Sequence, residues 1–430
     1  MLLHKKFCLT FSFLILFSSC SVQKQIARSA NTVLTDSSLR TAHVGISIYE
    51  PSTGKYWYEH DGDKYFVPAS NTKIPTCYAA MKYLGDRLIA FRYDLDNGVL
   101  TIEPNGDPTF LHPDFKRQPA YDFLKRHSRI EIWDQHLDEA FLGSGWSWND
   151  YKEYYMAQRS ALPVYGNIVV FRKTDNENVI VVPGTFKKKI IFGNELTNGF
   201  DIEKDFSSNK FLVQKGSDRL AEVPFTPDDS TVAWLLQDTL HNSVVYESLV
   251  NDRPSTPFYS QPVDSLLRLM MYRSDNFFAE QSLLMVANTI TRNMSDEAAI
   301  DTLLKTDLKD LPQRPRWVDG SGLSRYNLFS PKDFVAILDK IRNEFGMDRV
   351  KTIFPTGGTG TLNNYYQSAR DHIYAKTGTL SGVVALSGYL YTKKNKLLIF
   401  SVLVNNHRAS SVADLRHAVE RFLLSVRDRF

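Results

Sequence analysis

The sequence predicts an α+β fold in which an antiparallel sheet is flanked by helices and interrupted by a β-rich insertion. Two observations predict the sheet: an alternating apolar hairpin begins near residue 41, and a more apolar hairpin lies near the C-terminus. A third defines the insertion, because residues 86–255 change to short β-prone pieces separated by turns. The main domain is therefore expected over 41–85 and 256–430, and the number of lobes in the insertion, one or two, stays open.

The first elements follow from the period of the apolar residues. Val44, Ile46 and Ile48 alternate before a Pro-Ser-Thr-Gly turn, which predicts the first hairpin. Apolar residues at spacings of three and four from Ile74 to Leu84 then predict a helix.

The last elements are predicted in the same way. Two apolar runs on either side of Lys393–Lys396 predict a hairpin that is buried on both faces. From Ser411 onward an apolar stripe and a capping box predict a terminal helix. Both hairpins are expected in one sheet, covered by this terminal helix and by the helix that follows Ser70.

The N-terminus is typical of an export signal. Two lysines precede an apolar run over residues 7–17, which is too short to span a bilayer comfortably. The residues before Cys20 resemble a bacterial lipobox, so Cys20 is the expected site of lipid attachment to a membrane. Cleavage nearby by an ordinary signal peptidase is the alternative. Residues 1–19 are predicted as a signal peptide and 20–40 as a lipid-anchored tether, in an exported protein of the cell envelope.

Composition argues against several classes of function. The net charge is +3, and two of these charges belong to the export segment, so a nucleic-acid partner is not expected. The ten histidines show no ligand-like spacing, and neither a metal nor another cofactor is expected. Of three cysteines, only Cys77 lies in the mature chain, which excludes an internal disulfide.

Three short motifs carry the functional prediction, although each is weak alone. Ser70–Lys73 opens the first helix, but serine is also an ordinary helix cap and the same spacing recurs elsewhere in the chain. Ser274–Asn276 lies at the edge of a helical pattern, and Lys376–Thr379 precedes a strand. In this order and setting, the motifs resemble the signature of penicillin-binding proteins and serine β-lactamases.

The residue types suit acyl transfer. A serine hydroxyl needs an adjacent base to attack a carbonyl at neutral pH. Residues three apart share one helix face, which places Lys73 beside Ser70. A solvated lysine is protonated, so burial and a second cation, Lys376, are expected to lower the pKa of Lys73 until it accepts the proton.

From about residue 44 to the C-terminus, the chain resembles the D-alanyl-D-alanine carboxypeptidase/endopeptidases of the low-molecular-mass penicillin-binding proteins. The blocks that carry the resemblance include "NGDPTF", "RSDNFFAE", "DGSGLSRYN" and "YAKTGTLSGVVALSGYL". That family has a large β-rich insert between its first two motifs, and here Ser274 lies 204 residues after Ser70. A class A β-lactamase has a far shorter gap. The resemblance implies a serine β-lactamase/D,D-peptidase-like domain.

The resemblance also implies catalytic roles. Ser70 would attack the bond between two D-alanines of peptidoglycan stem peptides, with Lys73 as its base. Ser274 would relay a proton to the leaving nitrogen, and Asn276 would hydrogen-bond the substrate amide. The "DGSGLS" block, with Asp319, either lines the cleft or forms a structural turn.

The third motif implies the substrate-binding group. Lys376, Thr377, Gly378 and Thr379 would bind the terminal carboxylate, and backbone N–H groups of Ser70 and Thr379 would hold the oxyanion. β-Lactams would act as covalent inhibitors. A β-lactamase, or a β-lactam sensor or cell-wall binder on the same fold, remains the alternative, and the balance of carboxypeptidase and endopeptidase activity stays open.

Overall fold

A computed structural model describes residues 23–31, 33–36, 39–133, 137, 140–174, 179–193, 199–247 and 253–430. The expected signal peptide and Cys20 lie outside these residues. Within the part of the chain that is described, no helix is long and apolar enough to cross a membrane.

The elements have the following bounds. The strands are β1 (His43–Glu50), β2 (Lys55–His60), β3 (Arg87–Asp96), β4 (Val99–Pro104), β5 (Arg129–Trp133), β6 (Ile168–Lys173), β7 (Val179–Val182), β8 (Ile190–Phe192), β9 (Gly199–Lys204), β10 (Phe211–Gly216), β11 (Leu220–Pro224), β12 (Ser243–Glu247), β13 (Thr256–Pro262), β14 (Ile373–Leu380), β15 (Val383–Tyr391) and β16 (Leu397–Asn405). The helices are α1 (Lys73–Tyr83), α2 (Pro119–Leu124), α3 (Asp229–Leu240), α4 (Val263–Arg273), α5 (Asn276–Thr291), α6 (Asp296–Lys305), α7 (Pro331–Ile353) and α8 (Val412–Arg429), and residues 23–31 are also helical.

The central sheet joins the two ends of the chain. Its strand order is β14-β15-β16-β1-β2, and each neighbouring pair is antiparallel. Ile46 lies opposite Val402, so the N-terminal and C-terminal hairpins share one sheet, as their patterns predict. Strands β15 and β16 are buried along nearly their whole lengths, which explains why both are continuously apolar.

Helices cover both faces of this sheet. One face packs against α8 and residues 23–31, where Ile26 and Ala30 are buried. The other face packs mainly against α7, while α1 packs against α4, α5 and α7. The structure therefore places α7 where the sequence predicted the Ser70 helix. The structure also differs from the predicted tether over residues 20–40, because Ile26, Ala30 and Val33 are buried against the domain.

The inserted region contains β3 to β13 and is built from three sheets. One has the order β12-β5-β4-β3-β13, and the other two are β8-β10-β9 and β11-β6-β7. Buried side chains of all three sheets belong to one continuous core, which includes Phe91 of β3 and Phe211 of β10. The insertion extends to Pro262 rather than to residue 255, because β13 pairs with β3 before the chain enters α4.

Candidate active site

Ser70 lies in a tight turn at the entrance to α1. Ala69–Thr72 form a short 3-10 helix, and Ala69 adopts a left-handed backbone with φ of 47°. The backbone of Gly322 lies so close that a Cβ there would be 1.9 Å from the Ala69 carbonyl oxygen. This close approach excludes a side chain at residue 322 and supports the turn that presents the half-buried Ser70 hydroxyl.

Lys73 is completely buried beside that hydroxyl. Its Nζ lies 3.1 Å from Ser70 Oγ, 2.6 Å from Asn276 Oδ1 and 2.7 Å from the Ser321 carbonyl oxygen. Burial lowers the pKa of Lys73 to about 8, while the nearby charges of Asp319, Asp275 and Glu280 oppose the shift. A substantial fraction of this lysine can therefore be neutral near physiological pH.

The second motif lies between two helices. Ser274 ends α4 in the left-handed conformation, and Asp275 caps α5 by accepting a hydrogen bond from the Phe278 N–H at 2.9 Å. Asn276 is the first residue of α5, and its amide bridges Lys73 and the Tyr155 carbonyl oxygen of the inserted region, which is 3.1 Å away. The cap thus positions the serine and the asparagine of this motif on one side of the cleft.

Lys376 reaches the same cleft from β14. Its Nζ lies 2.8 Å from Ser274 Oγ and 2.8 Å from the Thr377 carbonyl oxygen. Burial lowers the pKa of Lys376 well below its usual range, and the cations Lys73 and Arg416 lower it further. The sequence predicted that burial and the charge of Lys376 together lower the pKa of Lys73. In the structure burial is the main cause of that lowering, and the repulsion between the two lysines acts chiefly on Lys376.

The glycine of the third motif allows β14 to pass directly against the Ser70 turn. A Cβ at Gly378 would lie 2.7 Å from the Pro68 carbonyl oxygen and 3.1 Å from the Ser70 nitrogen. The side-chain amide of Asn71 ties the same two segments by donating to the Lys376 carbonyl oxygen at 2.8 Å. Thr377 and Thr379 alternate with Lys376 and Gly378 along the strand, so the two threonines share the other face.

The "DGSGLS" block forms both a structural turn and part of the cleft. Asp319 is fully buried and accepts hydrogen bonds from the N–H groups of Gly322 and Ser324 at 2.8 and 2.7 Å. Trp146 Nε1, from the inserted region, donates to the same carboxylate at 2.9 Å. The turn delivers the Ser321 carbonyl oxygen to Lys73, a contact that the sequence did not specify.

Glu280 is a second residue that the motifs did not identify. It is fully buried on α5, one turn after Asn276, and its Oε1 accepts from the Ser321 N–H at 2.7 Å. Burial raises the pKa of Glu280 to about 7. Arg159 Nη1, from the inserted region, lies 3.8 Å from its other oxygen. The only sequence signal was its place in "RSDNFFAE", four residues after Asn276.

These contacts bring Ser70, Lys73, Ser274, Asn276 and Lys376 into one cleft. Cys20 lies outside the described residues. Among the residues that are described, no group of histidine, cysteine and carboxylate side chains is arranged to hold a metal ion. A serine hydroxyl beside a buried lysine whose pKa is lowered to about 8 is suited to acyl transfer, with the serine as nucleophile and the lysine as base.

Comparison with known proteins gives the family. The chain belongs to the D-Ala-D-Ala carboxypeptidase 3 (S13) family, whose profile matches residues 26–197 and 244–426. The D-alanyl-D-alanine carboxypeptidase DacB of Haemophilus influenzae is 24% identical over 409 residues, covering 84% of this chain and 85% of that protein. The predicted resemblance to the penicillin-binding D,D-peptidases is thereby confirmed, and the chain is an enzyme of this class.

Solved structures confirm the predicted α+β fold. Penicillin binding protein 4 from Haemophilus influenzae superposes with a TM-score of 0.71 at 21% identity, covering 92% of this chain and 97% of that one. A predatory peptidoglycan endopeptidase from Bdellovibrio bacteriovorus superposes with a TM-score of 0.51 at 14% identity, covering 89% and 93% of the two chains. At these identities the likeness shows the fold.

Proposed function

We propose that this protein is an exported, serine-type D-alanyl-D-alanine carboxypeptidase that acts on peptidoglycan stem peptides through an acyl-enzyme on Ser70. The observation that carries the proposal is the 3.1 Å contact between Ser70 Oγ and the buried Nζ of Lys73. Neutral Lys73 takes the hydroxyl proton as Ser70 attacks the carbonyl between the two D-alanines. Backbone N–H groups of Ser70 and Thr379 stabilise the oxyanion.

The remaining residues complete the first half-reaction. Ser274 passes a proton to the leaving D-alanine nitrogen, and Asn276 hydrogen-bonds the substrate amide. Lys376, Thr377, Gly378 and Thr379 bind the terminal carboxylate. An arriving carboxylate favours the protonated form of Lys376, and that charge then favours neutral Lys73, which is the form that acts as a base. Water hydrolyses the ester and regenerates Ser70.

The direct test measures covalent labelling and product release together. The wild-type protein is expected to release D-alanine from a pentapeptide that ends in D-Ala-D-Ala, and to gain the mass of one penicillin. Replacing Ser70 by Ala should abolish both, because the attacking oxygen is absent. Labelling that persists in Ser70→Ala would disprove the assignment of the nucleophile.

The same measurement separates the alternatives. A stable penicillin adduct without D-alanine release would indicate a β-lactam sensor or a cell-wall binder. Rapid penicillin turnover without peptide cleavage would indicate a β-lactamase.

Endopeptidase activity is a second candidate, favoured by a cavity next to the cleft. A cavity of about 390 Å³ is lined by Ser274 and Asn276 together with His112, Tyr155 and Glu222. Residues from the inserted region and the main domain meet there, which leaves room for part of a second peptide. Incubation with a purified cross-linked muropeptide dimer tests this activity: monomer formation supports it, and an unchanged dimer beside normal D-alanine release excludes it.

We also propose attachment to a membrane through a lipid on Cys20, supported by the lipobox-like residues before it. Ile26, six residues after Cys20, is buried against the main domain, so the anchor would hold the domain close to the membrane. Fractionation tests this point. Cys20→Ser should move the protein from the membrane to the soluble fraction of the envelope, and unchanged fractionation would contradict lipid anchoring.

A further inference from the structure

Arg416 lies beside the third motif although no motif contains it. It projects from α8, and its Nη2 donates a hydrogen bond to Thr379 Oγ1 at 2.5 Å. Its guanidinium also lies over the ring of Tyr365, 5.8 Å from the centroid. Together with Thr377, Arg416 lines a small cavity of about 20 Å³. The arginine therefore hydrogen-bonds Thr379 and borders the same small cavity as Thr377, from the helix layer outside the sheet.

Arg416 carries a charge without an ion-pair partner among the residues that the structure describes. In the described part of the chain, no ion pair includes Arg416, and the neighbouring Glu420 pairs with His417 instead at 2.8 Å. The charge of Arg416 also acts on Lys376, whose pKa it helps to lower. Two cationic side chains thus flank Thr377 and Thr379, and among the described residues no carboxylate forms an ion pair with either of them.

Hydrogen-bond chemistry identifies the group that fits this position. A guanidinium has only donors, so the Thr379 oxygen must accept from Arg416, and the hydroxyl hydrogen of Thr379 is left to donate to another group. The remaining N–H groups of Arg416 are further donors in a fixed plane. A carboxylate has only acceptors when ionised, and it matches this set of donors.

We propose that Arg416 binds the C-terminal carboxylate of the substrate and makes the enzyme select peptides with a free terminal carboxylate. The inference rests on the proposed function, because it concerns the same cleft. It adds a specificity-determining residue from α8 to the group formed by Lys376, Thr377 and Thr379.

The first experiment compares two substrates that differ only in charge. One is an N-acylated peptide ending in D-Ala-D-Ala, and the other is the same peptide with a C-terminal amide. Arg416→Ala should reduce kcat/KM for the acid by roughly 10- to 100-fold, mainly through KM, because a hydrogen-bonded charge pair is lost. The amide should change less than about twofold, since it never formed that pair. Arg416→Lys should restore part of the lost activity.

Arg421→Ala is the matched control, because it removes an exposed arginine from the same helix. It is expected to leave both substrates unchanged. Equal losses on acid and amide in Arg416→Ala would show a structural role and overturn the proposal. An unchanged kcat/KM for the acid would overturn it as well. Thermal melting of each variant identifies a folding defect.

A second readout does not require peptide cleavage. Penicillin has a free carboxylate and its methyl ester does not, so the ratio of their acylation rates reports on the same contact. Arg416→Ala should lower this ratio by roughly 10-fold or more, and an unchanged ratio would overturn the proposal. If the wild type releases D-alanine from neither peptide, the proposed function fails, and this ratio still decides the role of Arg416.

Discussion

The two buried lysines of the cleft have opposite electrostatic surroundings. Lys73, at the start of α1, is near the carboxylates of Asp319, Asp275 and Glu280, which limit the fall of its pKa to about 8. Lys376, on β14, has the cationic neighbours Lys73 and Arg416 instead, and they lower its pKa in the same direction as burial does. Burial lowers the pKa of both lysines, whereas the neighbouring charges oppose that shift at Lys73 and add to it at Lys376.

This difference suggests two tasks for one residue type. A lysine with a pKa of about 8 exists in both protonation states near neutrality, which suits a base that takes and returns a proton. A buried lysine among cations gains most from an incoming anion, which suits a group that binds a carboxylate. The predictions below test this contrast, from the largest expected effect to the smallest.

Removing the base should have the largest effect. Lys73→Ala is expected to slow acylation by penicillin by about 10²- to 10⁴-fold, because Ser70 loses the group that takes its proton. The rate of adduct formation by mass spectrometry measures the change. Lys82→Ala is the control, since Lys82 lies on the same helix and pairs with Glu344 away from the cleft. Equal rates in Lys73→Ala and the wild type would show that Lys73 is not the base, and the two lysines would then not differ in task as proposed.

The carboxylates around Lys73 should set the pH dependence. The pKa of Lys73 is lowered to about 8, so acylation is expected to rise with pH through that value and level off above it, where the base is neutral. Glu280→Gln keeps an acceptor for the Ser321 N–H but removes a charge that raises this pKa. The midpoint should therefore move to lower pH, by roughly half a unit.

Glu280→Ala is the complementary variant. It removes the acceptor as well as the charge, and it leaves the Ser321 N–H buried without a partner. We expect a lower plateau rate in addition to the shifted midpoint. Profiles of Glu280→Gln and the wild type that coincide between pH 6 and 10 would show that this carboxylate does not act on the base.

The inserted region should contribute the smallest effect. Trp146→Phe removes one hydrogen bond to the Asp319 carboxylate, which three other donors still satisfy. We expect a loss of about 1 kcal/mol in the free energy of unfolding and little change in acylation. Trp148→Phe is the control, because the Trp148 side chain is 74% exposed. A large loss of acylation in Trp146→Phe would mean that the insertion positions Lys73 through the turn that Asp319 holds.

Local patterns predicted much of the structure. The alternation around Ile46 and the runs on either side of Lys393–Lys396 identified the two hairpins, and the shared sheet followed from pairing them. The helix over Lys73–Tyr83 followed from its apolar spacing, and Pro75 lies in its first turn, where a missing N–H is tolerated. The end of the insertion was not predictable, because β13 is recognised only by its pairing with β3.

The sequence by itself predicted Ser70 and Lys73 as a nucleophile and base, because a spacing of three residues in a helical turn brings two side chains together. The structure places the two groups 3.1 Å apart, with Ser70 in the 3-10 turn that leads into α1. The sequence also predicted the family, because the three motifs and their order can be recognised without a structure. The tertiary structure decided what surrounds the two lysines. Three of the surrounding groups come from segments far apart in the chain: the Ser321 carbonyl, the Glu280 carboxylate and the Arg416 guanidinium. Their electrostatic effect on the lysines depends on distance, and those distances are set only when the chain is folded.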